Sequence, residues 1–173
     1  HPTFSSARAG PPGTSTSRDE VLASVVDGAQ RATRRGATQL LSRLVDGASD
    51  EQVERRFSSP LALRALFAGM ARSYVPEAVP EFEGRLVYEL SRPATGQPPA
   101  RWTLHVHSGR ASVHQGADRS AKLKIQFTLA DFVRIAAGAI DAAEPLLAGR
   151  ASFEGDFALA AKLPEMFGAP SPY

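Results

Sequence analysis

Cysteine is absent from the 173 residues, which removes disulfides, thiolate nucleophiles, thiolate zinc sites and iron–sulfur clusters together. No run of about 18 apolar residues occurs, so no segment reads as a membrane-spanning helix. The first twenty residues also lack the charged start and apolar core of a signal peptide. These absences predict a soluble, cytoplasmic protein. Lysine is scarce: of 20 basic residues only Lys122, Lys124 and Lys162 are lysines. The others are arginines such as Arg31, Arg34, Arg35, Arg43, Arg55 and Arg56, balanced by 18 acidic residues to a net charge of +2. That balance is no nucleic-acid footprint, and solvated helix faces account for it. No nucleophile elbow, phosphate loop or zinc-protease helix motif occurs, and no cofactor is expected.

What is present is a 43% hydrophobic content, enough for one core. Residues 1–17 are rich in Pro, Gly and Ser and read as a disordered arm. Helical spacing follows in Val21, Leu22, Val25, Val26 and Ala29, then in Leu40, Leu41, Leu44 and Val45. Asp46-Gly47 ends that stretch. Ser49 and Gln52 have capping-box spacing, and Ser59-Pro60 predicts a cap with proline at the first helical position of a helix to about Tyr74. Pro76 and Pro80 stop it.

From Glu81 the period becomes two. In EFEGRLVYELSR, Leu86, Tyr88 and Leu90 share one face; in RWTLHVHS, Trp102, Leu104 and Val106 do. Ser108-Gly109 predicts a hairpin turn into RASVHQG, and AKLKIQFT puts Leu123, Ile125 and Phe127 inward. Consecutive strands with short turns predict an antiparallel meander with one wet face. Thr128 and Asp131 then start a helix with Phe132, Ile135, Ala136 and Ala139 on its apolar face. A short helix, a fifth strand near Phe153 and a final apolar helix capped by Asp156 complete the chain. Pro164 lies inside that last helix and predicts a kink or restart.

Few residues invite chemistry. His105, His107 and His114 share the polar face of the sheet, but no carboxylate is arranged to orient them, so exposed polar positions explain them better than a metal. Tyr88 is the one inward strand residue with a hydroxyl that could orient a ligand or donate a proton. The larger signal is apolar excess in the last third, where a greasy, interrupted terminal helix suits a cover over an apolar cavity.

The stretches FEGRLVYEL, RWTLHVHSGRASVHQG, AKLKIQFTLADFVRIAAGAI and AGRASFEGDFALAAKLPEMF, from about Phe82 to Phe167, resemble the sterol carrier protein type two family. The resemblance implies an α+β fold: an antiparallel five-stranded sheet with helices packed on one face, enclosing an apolar tunnel for sterols, fatty acyl chains or other lipids. An N-terminal helical region precedes it. The expected division is a disordered arm over 1–17, a helical region over 18–75 and a lipid-binding domain over 76–173. The helical region lies outside the core resemblance and could pack beside the sheet, form a dimer surface, extend the tunnel or recruit a partner. The tunnel lining is expected from Tyr88, Trp102, Leu104, Ile125 and Phe127 on the strands and Phe132, Ile135 and Ala136 on the helix after them. Phe153, Phe157, Leu163, Met166 and Phe167 complete it. The expected function is carriage or transfer of a hydrophobic small molecule, with transient membrane contact and no catalysis. The alternative is a tunnel enzyme that cyclises or isomerises a polyketide or terpenoid intermediate, with Tyr88 as proton donor.

Overall fold

The alternating stretches pair as five strands, β1 (Gly84–Arg92), β2 (Gln97–His107), β3 (Arg110–Gln115), β4 (Leu123–Thr128) and β5 (Ser152–Gly155), in the order β3-β2-β1-β4-β5. This computed structural model describes residues 39–167. The predicted arm and the helical pattern around Val21 to Ala29 lie outside the described residues. β1–β2, β2–β3 and β4–β5 are antiparallel, but β1 and β4 run parallel, so the sheet is mixed and the antiparallel expectation is corrected at one pair.

The cause is the route of residues 116–122. They do not turn back beside β3 but cross the outer face of β2 and β1, so that β4 enters with Leu123 level with Leu86. The crossing is fastened by Gly116 N–H to the Arg101 carbonyl at 2.8 Å and by the Thr103 hydroxyl to the Gly116 carbonyl at 2.7 Å. An Arg85–Asp118 ion pair at 3.0 Å and Lys122 N–H to the Arg85 carbonyl at 2.9 Å complete it. Thr103, placed by parity on the wet face, is therefore buried, and its hydroxyl is satisfied.

The inner face carries Leu86, Tyr88, Leu90, Trp102, Leu104, Leu123, Ile125 and Phe127, all buried. Each such side chain contributes roughly 1.5–3 kcal/mol on burial. Of the five helices α1 (Asp50–Phe57), α2 (Pro60–Arg72), α3 (Leu129–Ala136), α4 (Ala143–Leu147) and α5 (Phe157–Met166), all but the short α4 contribute to the core on this face. Their starts follow the sequence. Ser49 and Gln52 form both capping-box bonds, Ser59 caps α2 with Pro60 at its first position, and Thr128 caps α3. Val53, Phe57, Leu63 and Phe67 from α1 and α2 belong to the same core cluster as the sheet. Among the described residues no helix is long and apolar enough to cross a membrane.

The C-terminal part hangs on a close approach. Gly155 has φ +115°, and a Cβ there would overlap the Lys122 carbonyl oxygen, so only glycine fits without rearrangement. Asp156 N–H then donates to that same carbonyl at 3.0 Å, while its carboxyl accepts from Leu159 N–H at 3.1 Å and starts α5. The predicted restart at Pro164 does not occur: α5 stays helical to Met166. Pro164 is close to the end of the helix, so the bond it removes, to Ala160, lies in the last turns, where fewer bonds follow it. The far end is held instead by Val75 N–H donating to the Met166 carbonyl at 2.7 Å, with Met166 buried and Tyr74 against Phe167 at 5.7 Å between ring centroids.

Candidate functional site

Strand parity aims Tyr88 and Trp102, paired in register across β1 and β2, at the helical layer. α2 answers with Phe67 and α3 with Phe132. The Phe67 ring stacks 5.4 Å from Trp102 and 5.0 Å from Phe132 and meets Tyr88 edge-on at 5.6 Å. Aromatic pairs at such spacings contribute about 0.5–1.5 kcal/mol each beyond area burial. The layer expected to enclose a tunnel thus holds a packed aromatic cluster at its centre.

Of the predicted lining, Tyr88, Trp102, Leu104, Ile125, Phe127, Phe132 and Met166 are buried in one cluster. Ile135, Phe153, Leu163 and Phe167 are partly buried against it. Ala136 is exposed at the end of α3, and Phe157, at the first position of α5, is 67% exposed, so these two stand outside it. Phe67 belongs to the cluster and was missed, because α2 lay outside the sequence resemblance.

Two polar groups sit in this apolar layer. Burial pushes the Tyr88 phenol well above the ordinary tyrosine range, so it is neutral at physiological pH. Among the described residues the buried Trp102 indole Nε1–H has no hydrogen-bond partner. A buried unpaired donor costs about 1–3 kcal/mol, and native interiors rarely keep one.

The outer face is a network of charges. Glu89 accepts from Arg101 Nε at 2.7 Å and Gln126 Nε2 at 3.0 Å, with Lys124 at 3.4 Å. Burial pushes its carboxyl up, but these bonds and cations outweigh that and hold it below the usual carboxylate range. His105 and His107 stack at 5.9 Å between centroids, and His107 Nδ1 lies 2.8 Å from Glu83. His114 is opposite Thr103, as hairpin register predicts. Asp131, expected as a capping or solvated residue, is buried and takes Arg150 Nε at 3.0 Å, which ties α3 to the start of β5.

A second feature lies where the segment before β1 faces α5. An open groove of about 430 Å³ is lined by Ala78, Val79, Pro80, Phe82, Ala158 and Leu159, with Lys122, Lys162 and Asp156 as its polar members. None of these was predicted as a site residue. Lys122 and Lys162 lie far apart in the sequence, so no local signal brings them together.

Residues 63–168 match the family model described as the SCP-2 sterol transfer family. No curated protein sequence matches the chain. Among solved structures, palmitated SCP2L2 from Aedes aegypti superposes with a TM-score of 0.52 at 18% identity, over 64% of this chain and 98% of that one. The stereoselective inverting sec-alkylsulfatase Pisa1 from a Pseudomonas species gives 0.50 at 15% identity, over 92% of this chain. The matched part is 31% of the alkylsulfatase. These likenesses concern the fold.

Proposed function

Because the chain belongs to the SCP-2 sterol transfer family, to which its residues 63–168 match, we propose that it binds a hydrophobic small molecule between the inner face of its sheet and its helices and carries or transfers it. The observation that carries this reading is the Trp102 indole N–H, without a partner among the described residues, inside a layer whose other polar group is the Tyr88 phenol. A ligand that opens the layer lets this group find an acceptor, on the ligand or on a water entering with it, and recovers the cost of leaving it unpaired. SCP2L2 of similar fold is described as palmitated, in keeping with an acyl chain as one ligand class.

In this reading residues 76–173 supply the lipid-binding domain, with Tyr88, Trp102, Leu104, Ile125 and Phe132 as its inner lining, and Phe67 of α2 is the ring that must yield. Covering about 400 Å² of apolar ligand surface yields roughly 10 kcal/mol at most. Association, ordering and the displacement of stacked rings reduce that to roughly micromolar binding. Affinity of that order permits exchange without a cofactor.

Displacement of a bound fluorescent fatty acid tests the proposal. Saturable displacement by a fatty acid or a sterol at roughly micromolar concentration is expected. Failure of the probe to bind, together with failure of every lipid class to raise the melting temperature, contradicts it.

A further inference from the structure

We propose that the groove between residues 78–82 and α5 is a headgroup subsite for an ionised single-chain acyl ligand, whose carboxylate Lys122 and Lys162 take; the proposal rests on the lipid-binding reading above. Its volume of about 430 Å³ falls within the roughly 300–1,000 Å³ of small-molecule sites. It also borders the interior. Leu159 lines the groove and belongs to the core cluster, and Phe82 packs against that cluster. A chain with its head at the lysines reaches the sheet when these two apolar side chains yield.

The charges favour an anion. Asp156 is the one carboxylate in the lining, and it already accepts Leu159 N–H at 3.1 Å as the cap of α5. Among the described residues Lys122 has no carboxylate within 4.0 Å; its ammonium lies 5.3 Å from the centroid of the Phe82 ring. Its stem lies across Gly84, where a Cβ would come within 3.0 Å of Cδ and 3.2 Å of Cε. Among the described residues Lys162 has one carboxylate contact, the loose one to Glu165 at 3.8 Å, with both side chains about half exposed.

The choice of cation points the same way. This chain holds its fixed ion pairs with arginine: Arg85–Asp118, Arg101–Glu89, Arg134–Asp50 and Arg150–Asp131. Lysine, a compact charge on a flexible stem, suits a headgroup that arrives and leaves. The third lysine, Lys124, sits on the outer face between Glu89 and Glu154 at 3.4 and 3.9 Å.

The test compares palmitate with methyl palmitate, the same chain without the charge. Displacement titrations use the full chain, the Lys122→Gln/Lys162→Gln double variant, which keeps most of both stems, and Lys124→Gln. Palmitate is expected to bind about tenfold more tightly than its ester to the unmodified chain, a difference of about 1.4 kcal/mol. The double variant should lose that preference while keeping its affinity for the ester, and Lys124→Gln should keep it. On adding palmitate, the Ala158 and Leu159 amide signals should move. Equal binding of acid and ester, or a preference that survives the double variant, overturns the headgroup subsite and leaves the lipid-binding reading standing. Binding of neither ligand overturns the subsite, and the lipid-binding reading falls with it only if no sterol or other lipid class binds either. If the Ala158 and Leu159 signals move on deletion of residues 168–173 and not on adding palmitate, the groove holds the chain's own end and the subsite is refuted.

Discussion

Glu54 illustrates what a single side chain can hold together. It is fully buried on α1, and its carboxyl accepts Ala94 N–H at 3.1 Å, Thr95 N–H at 2.9 Å and the Thr95 hydroxyl at 2.8 Å. One side chain thereby satisfies the β1–β2 turn, and the turn in turn supplies the donors that make burial of the carboxyl tolerable. Glu54→Ala leaves those donors without their acceptor and should cost about 3 kcal/mol, with Glu54→Gln in between. Urea unfolding measures this; an unchanged midpoint for the alanine variant would contradict the clamp. Nothing in DEQVERRF announces this role, because Glu54 is one of several charges on a short helix and its partners lie 40 and 41 positions away. Trp102 is a similar case: its inward direction follows from parity, but the lack of a partner for its N–H depends on three-dimensional neighbours.

At the scale of elements, local chemistry was legible and long-range geometry was not. Caps at Ser49, Ser59, Thr128 and Asp156 are within three residues of the amides they satisfy, so spacing reveals them. Strand faces are equally readable, since period two fixes inside and outside whichever way the strand runs. The same independence explains the missed parallel pair: direction is set by where residues 116–122 travel, and parity is blind to it. Pro164 does not restart the helix, because its cost depends on where in the helix it falls. Gly155 is the position where β5 and α5 depend on one backbone contact. Gly155→Ala introduces an overlap with the Lys122 carbonyl at φ +115° and should cost about 2–3 kcal/mol. Asp156→Ala, which removes only the cap, should cost about 1 kcal/mol. Hydrogen exchange in the glycine variant should accelerate first in β5 and α5; uniform acceleration, or a smaller loss than in the Asp156 variant, would contradict the contact as the anchor.

The molecule as a whole combines an aromatic layer, a groove that borders the same core at Leu159, and membership of the SCP-2 sterol transfer family. The inner face of the sheet was legible in the sequence from Tyr88, Trp102, Leu104 and Ile125. Of the wall opposite, Phe132 was legible from the apolar face of α3, but Phe67 was not, because it comes from a helix with no alternation to link it to the strands. The layer is stabilised by stacked rings; in the proposed binding it opens and exchanges those contacts for a ligand's. That exchange has a direct reporter, since Trp102 is the chain's one tryptophan and gives a single indole N–H signal. The Phe67 ring stacked on it, 5.4 Å away, must move when a ligand enters. Titration with palmitate, following that one proton–nitrogen signal, should shift it progressively and saturate with the displacement isotherm. An indole signal that stays in place while palmitate binding saturates would mean that the ligand lies elsewhere, and would contradict the central claim.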